Sequence, residues 1–249
     1  MNVRSRLHLR GQEVMTYLRL AWPMQARVRF VIFAQGRTGT WLLHDLLNAH
    51  PQIVCDKEIL QPRRLAPYAF VEGRSRRLAS VYGFHVQIRQ LLEVHHLDPV
   101  AFLRRMEALG WRILYLRRQN ILRQSISSLI AGQRRLWYTT NPAELAQHRF
   151  TIDLDELMAW LDRRQSYLEQ EATALHGLPH LSLVYEDDLL TADQRQVTMT
   201  RIFAFLDVDP ILVTAKTQRL SSDCLADMVE NYQELVDRVA SSPYRGFLA

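Results

Sequence analysis

Val28-Arg-Phe-Val-Ile-Phe-Ala-Gln-Gly-Arg-Thr-Gly-Thr-Trp41 is the stretch on which the fold turns. Residues 28–34 are a short, almost continuous apolar run, the pattern of a strand buried on both faces of a parallel sheet. Residues 35–40 bring two glycines and two threonines, and a helical pattern follows through Trp41, Leu42, Leu43, Leu46 and Leu47. His50-Pro51 ends it, because the residue before a proline is pushed out of the helical region. Strand, glycine-containing turn and helix together make an anion cradle, since consecutive backbone N–H groups converge at the helix N-terminus. Thr38 and Thr40 are expected to add hydroxyl donors, and Arg37 a cation.

Outward from this stretch, strands and helices alternate. Ile53 to Cys55 restarts a strand, with Glu58 just after it. Residues 61–79 hold Pro62, Pro67, Gly73 and five arginines, and read as an irregular, mobile loop. Ser80 to Ile88 is the third strand. A helix opens at Asp98-Pro99 and closes at Leu109-Gly110, with proline at its first position and glycine at its end. Trp111 to Leu116 is another buried strand, followed by Arg117-Arg118 and a helix from Ile121 to Gly132. His95-His96 reads as a solvated turn. Asp153, Asp155 and Glu156 start a long helix from Ile152 to His176, where carboxylates complement the dipole. Leu181 to Tyr185 is a strand, Gln194 to Leu206 a helix, and the tail from Ile211 to Ala249 mostly helical. The expectation is a three-layer α/β fold with a mostly parallel central sheet. It is read as one domain over 1–249, with an N-terminal helical extension over 1–27. Ligands in such sheets sit at the carboxyl ends of the strands. Residues 35–41, Glu58 and Arg117-Arg118 are therefore expected to converge on one edge.

The 249 residues carry a net charge of +5 and an isoelectric point near 9.5, which favours anionic partners. Lys57 and Lys216 are the only lysines, so all but two of the 31 basic residues are arginine. The planar guanidinium suits bidentate phosphate contacts, although an arginine-biased genome would leave the same trace. A Walker A loop needs Gly-x-x-x-x-Gly-Lys-Ser/Thr. Here Gly39 precedes Thr40-Trp41 and neither lysine follows a glycine, which weakens the alternative of a P-loop-like nucleotide kinase or NTPase. A basic nucleic-acid-binding module is the other alternative, but no helix-turn-helix or aromatic-plus-basic single-strand platform supports it. Cys55 and Cys224 cannot build a disulfide framework and have no metal-ligand spacing. No apolar stretch reaches the roughly 18–20 residues of a membrane span, and Met1 to Pro23 lacks the apolar core of a secretory signal. A cytoplasmic setting is the default. Val14, Leu18 and Trp22 lie among Arg4, Arg6, Arg10 and Arg19, a helical pattern that fits either packing ahead of the first strand or peripheral contact with anionic headgroups at the inner face of the membrane.

Phe33-Ala-Gln-Gly-Arg-Thr-Gly-Thr-Trp-Leu-Leu43, followed by His44-Asp-Leu-Leu-Asn-Ala-His-Pro51, resembles the phosphosulfate-binding loop and helix of sulfotransferases that use 3′-phosphoadenosine 5′-phosphosulfate (PAPS). The likeness is greatest to bacterial carbohydrate sulfotransferases of the nodulation-factor type. It covers residues 28–128 by motif and the rest by pattern and size. It implies the sulfotransferase fold and transfer of a sulfuryl group from PAPS to a hydroxyl of a carbohydrate or glycolipid, leaving PAP and using no metal. Gly36, Arg37, Thr38, Gly39, Thr40, Trp41 and Leu42 would then hold the 5′-phosphosulfate, with Arg37 on the bridging oxygen. Trp41 departs from the threonine or serine that many members carry. In the family an arginine at a strand end and a serine eight residues later grip the 3′-phosphate. That implies either Arg117 with Ser125, or Arg118, for which Ser127 is the nearest serine. Glu58, in Asp56-Lys57-Glu58-Ile-Leu, is implied as catalytic base by likeness to the Gly-Glu-Leu-Leu of the nodulation enzymes, with His85 as its rival from the cytosolic branch. Tyr185-Glu186-Asp187 resembles a segment many members carry and is taken as structural. Tyr244-Arg245-Gly246 is a weak likeness to a C-terminal segment that touches the 3′-phosphate. Acceptor specificity is expected from residues 61–79, from Gln133 to Phe150 and from the N-terminal helix. These carry Arg63, Arg64, Arg74, Arg76, Arg77, Arg134, Arg135, Trp137 and Tyr138.

Overall fold

The computed structural model describes residues 3–24, 26–76, 79–134, 149–216 and 224–248, with side chains from Arg10 onward. Five strands, β1 (Val28–Ala34), β2 (Ile53–Glu58), β3 (Val81–Val86), β4 (Trp111–Arg117) and β5 (His180–Val184), form one parallel sheet in the order β2-β3-β1-β4-β5. The helices are α1 (Val3–Leu18), α2 (Thr40–Asn48), α3 (Pro67–Ser75), α4 (Pro99–Ala108), α5 (Ile121–Arg134), α6 (Leu154–Leu175), α7 (Ala192–Phe205) and α8 (Tyr232–Ala240). β1 is central, with Val28 beside Val81 of β3 and Arg29 beside Trp111 of β4. The chain runs outward to β2, returns through β3, then crosses β1 to build β4 and β5. The strand order therefore reverses around β1, and the loops after β1 and β4 open a crevice at the carboxyl ends.

From Phe30 to Ala34, β1 is apolar because it is covered on both faces. Phe30, Ile32 and Ala34 pack with Leu43, Leu46 and Leu47 of α2 and with Met199, Ile202 and Phe203 of α7. Val31 and Phe33 pack on the other face with Phe70 and Val71 of α3, Phe102, Leu103 and Met106 of α4, and Leu175 of α6. The helix starts follow local chemistry. Asp98 accepts from the Val100 and Ala101 N–H groups ahead of α4, Asp153 from those of Asp155 and Glu156 ahead of α6, and Thr191 closes a capping box with Gln194.

Three expectations are corrected. Residues 61–79 contain the regular helix α3: Pro67 sits in its first turn, and Phe70 and Val71 anchor it to the sheet. Gly73 is there because a Cβ would fall 2.1 Å from the Thr16 carbonyl oxygen of α1, so the glycine reports a helix crossing and not a loop. The C-terminal tail is helical in only about half of its described part, as α8 and two short 3₁₀ turns, Leu225–Asp227 and Arg245–Phe247. His95 is not simply solvated, since its Nε2 meets the Leu60 carbonyl at 2.9 Å and ties a π-helical turn (Gln90–Val94) to the end of β2. Arg77, Arg135, Trp137, Tyr138 and the side chains of Arg4 and Arg6 lie outside the described residues. Among the described residues, no helix is long and apolar enough to cross a membrane, and no group of three or more His, Cys, Asp or Glu could hold a metal ion.

Candidate active site

The loop after β1 has an unusual backbone. Arg37 has φ 69° and Gly39 φ 91°, left-handed conformations that cost a non-glycine residue on the order of 1–3 kcal/mol. Gly39 meets two demands at once, because a Cβ there would also stand 2.6 Å from the Tyr185 ring. The loop carbonyls are tied back into the protein. That of Gln35 accepts from the Thr38 hydroxyl (2.8 Å), that of Gly36 from Gln124 Nε2 (2.8 Å) and Arg164 Nη1 (3.3 Å), and that of Arg37 from Arg118 Nη1 (3.4 Å). The N–H groups of Gly39 and Thr40, at the open end of α2, meet no acceptor among the described residues. Such an arrangement is an anion nest. Thr38 is corrected in one respect: its hydroxyl is buried and donates within the loop, so it shapes the cradle and does not line it.

Three guanidinium groups converge behind the loop. Arg37 donates from Nε and Nη2 to Ser127 Oγ of α5, at 3.0 and 2.9 Å. Arg118, just past β4, lies under the Tyr185 ring with its Nε 3.5 Å from Glu186 Oε1. Arg164 of α6 is 3% exposed and donates to Gln35 Oε1 (3.2 Å) and Ser128 Oγ (2.6 Å). Burial, reinforced by repulsion from Arg118, lowers the Arg37 pKa to about 10. Burial and then the fields of Arg118 and Arg37 lower that of Arg164 to about 9. Glu171 lies beneath, its Oε2 accepting from Gln35 and Tyr115, and burial raises its pKa to about 7. Near neutral pH it is therefore only partly ionised and offsets the three cations incompletely.

A cleft of about 830 Å³ opens in front of the loop. Its walls include Gly36, Arg37, Thr40, Trp41, Glu58, Trp160, Arg163, Arg164 and Tyr167. Glu58 is the last residue of β2, beyond an irregularity in the pairing with β3 that follows Asp56 and turns its carboxylate into the cleft. Gln90 Nε2 donates to its Oε2 at 2.7 Å, and His85 Nδ1 stands 3.8 Å from its Oε1. His85 is buried behind Glu58, with Nε2 3.0 Å from the Ala34 carbonyl. A carbonyl only accepts, so Nε2 carries the proton and Nδ1 of the neutral ring faces Glu58 as an acceptor. Burial lowers the His85 pKa against the pull of Glu58, which keeps the ring neutral. Lys57 covers the Trp41 ring at 3.3 Å, and Arg163 and Arg164 stand 5.6 and 5.3 Å from the Trp160 ring.

With this geometry in view, the comparisons with known proteins are specific. No family model matches the chain. It is 24% identical over 237 residues to nodulation protein H of Rhizobium tropici, covering 88% of this chain and 92% of that one. The solved sulfotransferase of Alicyclobacillus acidocaldarius superposes with a TM-score of 0.50 at 16% identity, over 86% of this chain and 94% of its own. The sequence relative and the shared fold both support a sulfotransferase. A weaker likeness, TM-score 0.45 at 14% identity over 79% of this chain and 66% of the other, is to mouse sulfotransferase SULT7A1 complexed with PAP.

On this scaffold the residues singled out in the sequence fall into two groups. Gly36 to Trp41, Arg118, Ser127 and Glu58 stand together around the crevice, and Ser125 is fully buried on α5 with a hydroxyl that has no partner. Arg117 is set apart from them: it ends β4 beside Val184, and its side chain makes no hydrogen bond or ion pair among the described residues. Tyr244 is buried with its hydroxyl on Asp162, Arg245 is exposed, and the segment packs on α5 through Tyr244 and Phe247, with Asn120 Nδ2 donating to the Phe247 carbonyl (2.9 Å). Tyr185-Glu186-Asp187 does more than support the fold, since Glu186 pairs with Arg118 and accepts from the Gln119 and Asn120 N–H groups. Sequence reading missed Gln124, Arg164 and Glu171. One signal was present. Leu157, Leu161, Arg164, Glu171 and Leu175 share the buried stripe of α6, and two charges on an apolar stripe mark a buried polar network.

Proposed function

We propose that this protein transfers a sulfuryl group from PAPS to a hydroxyl of a carbohydrate or glycolipid. The observation that carries the reading is the convergence of Arg37, Arg118 and Arg164 on a glycine loop, with a buried, unpartnered hydroxyl, that of Ser125, on α5, the helix whose Gln124 and Ser127 meet the loop. An orphaned buried hydroxyl on that helix, together with the buried cations, fits a ligand bearing two separate anionic groups. PAPS is such a ligand, and it supplies a sulfuryl group already bonded to a good leaving phosphate. The loop N–H groups and Arg37 would bind the 5′-phosphosulfate, and Arg118 with Ser125 the 3′-phosphate. That pairing crosses the two registers open in the sequence, because it is Arg118 that is buried against the loop.

By analogy with phosphoryl transfer, these residues position the groups and offset developing charge. Glu58 accepts the proton of the attacking hydroxyl as the new O–S bond forms and the bond to the 5′-phosphate breaks. Gln90 orients its carboxylate by donating to Oε2, and His85, buried behind Glu58 and away from the cleft, is assigned no role as the base. Trp41, Trp160 and Tyr167 offer rings on which a sugar face can stack. Val14, Met15, Leu18 and Trp22 form an exposed apolar stripe on α1 and the turn after it, flanked by Arg10 and Arg19. That face suits peripheral contact with an anionic lipid surface, where a glycolipid acceptor would lie.

Release of PAP from PAPS with a panel of oligosaccharide and glycolipid acceptors, in chelator and without magnesium, tests the reading. Turnover is expected, with Glu58→Gln lowering it by about 10²–10⁴-fold while PAP binding persists. Turnover that instead requires ATP and magnesium would sink it.

A further inference from the structure

Arg164 lies outside every motif read in the sequence, yet it is the most deeply buried of the three converging arginines. Its two Nη groups hold Gln35, Gly36 and Ser128, while its buried Nε has no partner. Among the described residues no carboxylate stands within ion-pair distance. Glu171, the nearest acid in its field, directs Oε2 to Gln35 and Tyr115. A buried cation without a counter-ion is strongly disfavoured, and one that persists points to an anion arriving from outside. Its position says which anion. Arg164 shares the cleft wall with Gly36, Arg37 and Glu58, whereas Arg118 and Ser125 do not line that cleft.

We propose that Arg164 is a catalytic contact to the transferring sulfuryl group, reaching it from α6 on the side facing Glu58. The inference rests on the PAPS reading above and goes beyond it by adding a cation that neither the loop nor β4 supplies. In this role Arg164 offsets charge on the sulfuryl oxygens, while its Nη bonds hold Gln35 and Gly36 and so fix the mouth of the loop.

The test separates the sulfuryl end from the rest of the nucleotide. Affinities for PAPS and for PAP are measured by calorimetry, without acceptor, for the wild-type protein, Arg164→Gln and Arg164→Lys, with a thermal melt of each. Loss of a charge-assisted contact predicts PAPS binding weakened about 10- to 100-fold in Arg164→Gln, with PAP weakened less than about threefold. Arg164→Lys keeps the charge but not the fork, so a smaller loss of about three- to tenfold is expected, again on PAPS alone. It serves if the glutamine variant does not fold. Equal weakening of PAPS and PAP would show that Arg164 only shapes the loop, and unchanged affinity for both would exclude the contact. A wild-type protein that binds neither nucleotide would overturn the PAPS reading itself, and this contact with it.

Discussion

Two arginine sites at opposite ends of β1 show how one residue type serves two purposes. At the amino end, Arg29 meets Glu72 at 2.9 Å, and Trp111 Nε1 donates to the same carboxylate. One cation faces one anion, and the pair clamps α3 to the sheet. At the carboxyl end, Arg37, Arg118 and Arg164 crowd a single loop. Glu186 stands 3.5 Å from one of them, and Glu171 is held partly protonated. The difference teaches that buried arginine alone identifies nothing, whereas a local excess of buried cation over carboxylate identifies a place where an anion belongs.

Breaking the carboxyl-end site should have the largest effect. Arg118→Ala is expected to lower sulfuryl transfer by about 10²–10³-fold and to remove stabilisation by PAP, while the ligand-free protein loses little stability because relief of like-charge repulsion offsets the lost contacts to Glu186 and Tyr185. A large loss of ligand-free stability would show that the cluster is structural after all. The same site carries a pH signature. Glu171 has a native pKa near 7 against an ordinary value of 4.5, so the native state binds its proton more tightly than the unfolded chain does. Stability from this group is full below the ordinary value and falls as pH rises through about 7. By linkage the fall is on the order of 3 kcal/mol. Glu171→Gln lacks that fall, so denaturant midpoints at pH 5 and pH 8 should diverge from wild type, and parallel curves would contradict the burial argument. The amino-end pair supplies the control. Arg29→Ala is expected to cost about 2 kcal/mol of stability by leaving Glu72 partly buried and short of a donor. Its thermal shift on adding PAP should match that of wild type, and a diminished shift would erase the distinction between the two ends.

Much of the carboxyl-end site could be read in the sequence, because short-range chemistry dictates it. An apolar run, two glycines and a helix pattern specify β1, the loop and α2, and the burial pattern of β4 brings Arg118 to the crevice. Arg164 and Glu171 were not legible in the same way. They sit 127 and 134 residues beyond Arg37, and only the packing of α6 across the sheet brings them beneath the loop. In a chain so rich in arginine, Arg163-Arg164 looks like any other pair until the stripe of α6 shows one of them facing inward. Residues 61–79 failed for the opposite reason. Pro67 and Gly73 are helix breakers by type, but here one opens α3 and the other lets α1 approach it.

The central claim is that the loop and its arginines read both phosphates of an adenosine 3′,5′-bisphosphate. The most direct measurement is the thermal midpoint with PAP and with ADP, each at saturating concentration in chelator. At 100 times its dissociation constant a ligand adds about 2.7 kcal/mol, and a chain this size gains about 2–4 °C per kcal/mol. PAP should therefore raise the midpoint by about 5–10 °C, with ADP giving little. If ADP stabilises as well as PAP, the 3′-phosphate is not being read and the account fails.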